Sequence, residues 1–342
     1  MPLTSKTRGL IAVAALLCVA GIAAGLYLHR GNRPLPPAAP ALPAPTPGIF
    51  TELPAAAPVI AFANVKELRH MQNTPLASVF GLAAPGPAED HDYRNFVRDT
   101  GFDYTRDLDQ VAVAFWPSNL VQAAGAIGQN RILAVADGRF DQQKIEAYAL
   151  RTGRTVKQGA ETIYFIPGNP PVAFKFLLPT RILIASGQDP VGLLTIAGTS
   201  SDAATMHARI SRVAGAPIFA VAQTSTLPNS LYSSFKNSPQ LEQLVRGIRE
   251  LTLAAQPDGG NLKTIVDARC DSVKNALYIS TLADTFRVIG RAELADPNVR
   301  RQMTRQQDRF LTGLLNDATV NRDSNWVRLT FEITPAMLAS PR

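Results

Sequence analysis

Four arginines, Arg300, Arg301, Arg305 and Arg309, come closest to a recognisable chemistry in this chain. Arg301, Arg305 and Arg309 recur every four residues, which on one helix places them along one side. Guanidinium forks match the oxygens of phosphates and carboxylates. Such a stripe would meet an anionic partner, a lipid head group or an acidic envelope polymer or protein. The plain alternative is a solvated helix face, with Val299, Met303, Phe310 and Leu314 forming the core side of the same helix.

Other candidates are weaker. Ser233-Ser-Phe-Lys236 has the spacing of a serine nucleophile whose proton goes to a lysine one turn away. The Ser-x-Asn and Lys-Thr-Gly elements that chemistry requires do not follow it. Asp99, Asp103, Asp107 and Asp109 crowd one segment, and hard cations prefer oxygen clusters. The segment lacks the alternating ligands and glycine turn of a calcium loop, and Arg98 and Arg106 stand between the acids as ion-pair partners. His29, His70, His91 and His207 show no paired-ligand spacing. There is no nucleophile elbow, phosphate loop or dinucleotide fingerprint. These absences weigh against an enzyme, and no catalytic, cofactor-binding or metal-ligating residue is expected.

The elements that must position these groups begin with twenty uncharged residues, Gly9 to Leu28, between Arg8 and His29. As a helix they span roughly 30 Å, one hydrocarbon core. The stretch is too long for a cleaved signal peptide, and charged residues rather than small ones follow it. The expectation is a signal-anchor in residues 1–33, single-pass in the inner membrane, with the body in the periplasm. Residues 34–48 are a proline- and alanine-rich spacer.

Charge and cysteines narrow the class. The 342-residue chain carries a formal +7, but its first 33 residues hold Lys6, Arg8, Arg30 and Arg33 and no acid. The rest is nearly balanced, so a nucleic-acid partner is disfavoured. With only Cys18 and Cys270, no disulfide or cysteine metal cluster can hold the body together.

Apolar runs read as strands at 57–63, 111–116, 132–136, 162–166, 172–177, 181–185, 216–222, 251–255, 262–268 and 326–333. Helices are expected from Asp92, Asp141, Asp189 and Asp296, the last running to about Leu315. Ala57-Pro-Val-Ile-Ala-Phe-Ala63 returns as Ala216-Pro-Ile-Phe-Ala-Val-Ala222, and Phe140-Asp141 returns as Cys270-Asp271, each opening a helix. The expected fold is α+β, with two duplicated halves, 49–214 and 215–342. Each half is a mostly antiparallel sheet with helices packed on one face.

The segment Asn95-Phe-Val-Arg-Asp-Thr-Gly-Phe-Asp-Tyr-Thr-Arg-Asp-Leu-Asp-Gln-Val111 resembles a family of uncharacterised bacterial single-span envelope proteins. Ala136-Asp-Gly-Arg-Phe-Asp141 and Glu161-Thr-Ile-Tyr164 are similar to further pieces of it. The likeness covers most of residues 51–290 and implies topology and duplication, without activity, ligand or site residues. The sequence thus points to a membrane-anchored, exported, non-catalytic binding or scaffold module, its ligand expected in the cleft between the halves. An envelope hydrolase using Ser233 and Lys236 or the aspartates is the alternative.

Overall fold

The structure is a computed structural model; it describes residues 48–69, 91–117, 130–197, 203–226, 246–258, 260–301, 303 and 305–338. Twelve strands form one antiparallel sheet. They are β1 (Val59–Ala63), β2 (Leu108–Trp116), β3 (Arg131–Gly138), β4 (Arg154–Gln158), β5 (Glu161–Ile166), β6 (Val172–Leu178), β7 (Arg181–Ser186), β8 (Ile218–Gln223), β9 (Ile248–Asp258), β10 (Asn261–Cys270), β11 (Thr319–Asp323) and β12 (Trp326–Ile333). Their order across the sheet is β11-β12-β10-β9-β8-β1-β2-β3-β7-β6-β5-β4.

This corrects the expected fold of two separate halves. The physical reason lies in the two like segments: β1 pairs antiparallel with β8, Ala61 opposite Ala220 and Phe62 opposite Phe219. Pairing satisfies the edges that two separate sheets would have left open. One-sided helix packing is corrected as well. In β3 and β7, Val135, Ala136, Ile182 and Leu183 are all buried, and neighbouring residues on a strand point to opposite faces.

The membrane expectation is also corrected. Among the described residues no helix is long and apolar enough to cross a membrane. The anchor and its span 9–28 lie outside the described residues, as does the spacer up to residue 47. The single-pass, inner-membrane and periplasmic assignments therefore do not stand on this structure.

The helices are α1 (Val65–Leu68), α2 (His91–Thr100), α3 (Tyr104–Asp107), α4 (Gln142–Thr152), α5 (Pro190–Ile196), α6 (Ala203–Ile210), α7 (Val273–Ala295), α8 (Pro297–Arg301), α9 (Arg305–Asp317) and α10 (Pro335–Leu338). Short polar side chains start several of them. Asp141 accepts from the Lys144 amide, Asp189 from Gly192 with Pro190 at the first turn, and Ser272 from Asn275.

The described residues divide into two compact units, one within 48–222 with 254–257 and one within 223–253 and 258–338. In the former, Phe50, Phe62 and Phe219 meet with ring centroids 5.3–5.8 Å apart. In the same unit the buried Arg209 donates to the carbonyls of Ala55 at 2.6 Å and Ala57 at 2.7 Å. Charge-assisted bonds of this kind make a buried guanidinium tolerable. In the latter unit, α7 packs Ala276 and Ile279 against Ile248, Cys270, Val320 and Val327. Helix α9 packs Leu314 against Phe331.

Candidate functional site

A groove of about 420 Å³ opens in the unit within 223–253 and 258–338. Arg300 from α8, Asp308, Arg309, Thr312, Gly313 and Asp317 from α9, Glu332 at the end of β12, and Thr334, Ala336 and Met337 leading into α10 line it. The sequence builds it by breaking a helix. The run from Asp296 was expected to be continuous, but it divides into α8 and α9 around Met303, whose amide bonds Arg300 O at 3.2 Å. The break turns α8 back so that Arg300 Nε donates to Asp308 Oδ1 at 3.0 Å.

The floor is a close approach. A methyl group at Gly313 would lie 2.0 Å from Met337 Cε, so only glycine lets the Met337 side chain lie there unshifted. The Thr334 amide donates to Met337 Sδ at 3.4 Å and holds that side chain in place. On the walls, the Glu332 amide donates to Asp317 Oδ2 at 2.5 Å, and Asn261 Nδ2 to Glu332 Oε2 at 3.1 Å. Thr312 Oγ1 donates to Asp308 Oδ1 at 3.3 Å.

Of the four arginines of the expected stripe, Arg300 and Arg301 stand on α8 and Arg305 and Arg309 on α9. Arg300 and Arg309 line the groove. Arg301 bonds within its own helix, to Pro297 O at 3.3 Å and to Asn298 Oδ1 at 2.7 Å. Arg305 opens α9, and its side chain lies outside the described residues. With Asp308, Asp317 and Glu332 among the two guanidiniums, the lining is mixed in charge.

The aspartates are taken up by arginines and by capping, and the Asp103 amide donates to Asp107 Oδ2 at 3.0 Å. Asp99 takes Arg98 Nε at 3.0 Å and Arg151 at 2.9 Å. Arg98 and then Arg151 hold its carboxyl below the usual range. Asp103 caps α3 through the Thr105 amide, and Asp109 lies 3.4 Å from Arg69. Asp107 meets Arg106 at 2.6 Å and Arg139 at 3.3 Å. The Arg106 hydrogen bond lowers the Asp107 carboxyl, more than burial raises it. Among the described residues no group of three potential ligands could hold a metal ion.

Ser233, Lys236, His29 and His70 lie outside the described residues, as does the side chain of His91. His207 lies in α6. Cys270 is buried, and burial pushes its thiol up to about 12, far from the thiolate a nucleophile needs.

Sequence reasoning missed two cross-strand ion pairs. Asp137 of β3 faces Arg181 of β7, with bonds of 2.6 and 2.8 Å. Burial would raise the Asp137 carboxyl, but Arg181 and Gln110 bring it below its usual range. Asp267 of β10 faces Arg328 of β12, with bonds of 2.6 and 2.5 Å. Asp137-Gly-Arg-Phe-Asp141 and Asp267-Ala-Arg-Cys-Asp271 share acids and arginine at the same spacing, but the paired Arg181 and Arg328 lie far outside both stretches.

No protein-family model matches the chain, and no curated protein matches it. Solved structures of TP0453 are similar in outline. Its crystal form III gives a TM-score of 0.46 at 9% identity, covering 86% of this chain and 96% of that one. Form IV gives 0.44 at 9% identity, covering 86% and 95%. At these values the likeness assigns neither a family nor an activity.

Proposed function

We propose that this chain is a non-catalytic binding module and that the groove between α8, α9, β12 and α10 seats its partner. The observation that carries this reading is the groove itself, whose volume falls within the range of ligand sites. Its lining combines an apolar floor, Gly313 with Met337 and Ala336, and polar walls of both signs. Such a lining suits a partner segment that brings an apolar side chain with both a basic and an acidic group. A uniformly anionic polymer would meet three carboxylates as well as two guanidiniums, so it fits less well. The hydrolase alternative gains no support from Asp99, Asp107 and Asp109, each engaged by arginine.

Fluorescence anisotropy with labelled hexapeptides tests this reading. Acidic, basic and mixed-charge peptides, each with one leucine, would be titrated against the full-length chain and Arg309→Ala. The expected result is tightest binding of the mixed-charge peptide, weakened roughly tenfold by Arg309→Ala, as for loss of one charged contact of about 1.4 kcal/mol. Equal affinity for all three peptides, or no effect of the substitution, would sink the proposal.

A further inference from the structure

We infer that Arg291 of α7 is a positioning residue for the groove. It clamps the C-terminal turn of α9, and through that turn it sets the affinity of a site that it does not itself line. The inference rests on the binding reading above and names the residue behind the groove that tunes it.

The need for a clamp follows from the sequence of α9. A helix leaves its last four carbonyls without partners inside it, and its C-terminal end carries partial negative charge. A glycine just past the end or a basic side chain in the last turn commonly answers both. Helix α9 has neither. Its last turn holds no basic residue, it ends on Asp317, and Ala318 and Thr319 follow. The acid adds to the negative end instead of offsetting it. The missing partners come from α7. Arg291 Nε donates to Leu315 O at 2.7 Å, and Arg291 Nη2 to Asn316 O at 2.5 Å. Arg287 Nη1 adds a longer bond of 3.3 Å to Ala318 O. One guanidinium fork thus takes two adjacent carbonyls and brings a full positive charge to that helix end. The helices approach closely here, since a methyl group at Gly290 would lie 2.8 Å from Leu315 Cδ1.

The clamped turn is also one end of the groove. Asp308, Arg309, Thr312, Gly313 and Asp317 follow one another at helical spacing, so a single face of α9 forms that wall. Asp317 closes it by accepting the Glu332 amide at 2.5 Å, which ties α9 to the end of β12. Unwinding the last turn releases this tie, and the Asp317 and Glu332 walls lose their fixed separation. A partner that spans both walls then has to order them as it binds, and its affinity falls although Arg291 stands outside the lining.

The test compares the full-length wild type, Arg291→Ala and Arg291→Lys in amide hydrogen exchange followed by mass spectrometry, and in anisotropy with the mixed-charge peptide. In Arg291→Ala, fragments covering 314–318 and 331–334 should exchange at least about tenfold faster, as for loss of a charge-assisted bond at a helix end. A fragment within 262–268, from β10 of the same unit, should keep its wild-type rate. The peptide should bind about tenfold more weakly to Arg291→Ala. Arg291→Lys keeps the charge at the helix end and should recover most of both effects. Wild-type exchange at 314–318 and 331–334 in Arg291→Ala, or an equal acceleration in β10, overturns the clamp whatever the peptides do. Faster local exchange with unaltered affinity overturns the positioning role. A wild-type chain that binds none of the peptides sinks the binding reading alone, and exchange then decides the clamp.

Discussion

The same cross-strand pair is built twice at different depths. Asp137–Arg181 bridges β3 and β7 with side chains 19% and 21% exposed, and Asp267–Arg328 bridges β10 and β12 at 0% and 2%. The neighbouring arginines also correspond. Arg139 lies 3.3 Å from Asp107, and Arg269 lies 3.8 Å from Glu250. The chemistry is alike, so depth alone sets the energetic weight. A pair in contact with water exchanges one set of solvating partners for another. Removing one member of a pair cut off from water leaves the other charge buried where no water can replace the lost bonds.

The largest test of this contrast is Asp267→Ala. It should cost about 3–5 kcal/mol, because Arg328 would be left charged and buried. Replacing both members by apolar residues, Asp267→Leu with Arg328→Met, should recover most of that loss. Urea denaturation followed by circular dichroism would check it. A double variant no more stable than the single would show that the pair, and not its stranded half, carries the stability.

Asp137→Asn should cost less, about 1–2 kcal/mol, as for a partly solvated charge-assisted bond. This pair also predicts a pH dependence. With its carboxyl held below the usual range, Asp137 contributes stability that is full above that range and is lost as the pH falls through the lowered value. Denaturation midpoints measured from pH 6 down to pH 2 should therefore fall less steeply in Asp137→Asn than in the wild type. Parallel curves would remove Asp137 from the acid response.

The smallest effect is expected from Arg139→Ala. Its side chain is 66% exposed, so the loss should stay within about 1 kcal/mol. A loss comparable to that of Asp267→Ala would overturn the rule that depth decides.

Local elements were legible in the sequence because local rules make them. Apolar runs marked β1, β3, β7, β8 and β12, and Asp141 marked the start of α4. The single sheet was not legible, because the pairing of β1 with β8 joins distant segments and either run equally describes a strand in a sheet of its own. The ion pairs were hidden for the same reason. Asp137 and Arg181 are 44 residues apart, and Asp267 and Arg328 are 61 apart. Of the groove, the arginine spacing was visible, but it was read on an unbroken helix. Without the turn at Met303, nothing in the four-residue period shows that Arg300 meets Asp308 or that Met337 lies against Gly313.

The partnership of Ala61 with Ala220 also has a meaning in time. The ribosome delivers β1 159 residues before the strand that will flank it. At about 5–20 residues per second, that side of β1 stays open for roughly ten to thirty seconds after the strand is made. During that interval a nascent neighbour offering the same strand can take the vacant edge. Crowded polysomes are therefore where this chain is most exposed to exchanging strands with its siblings.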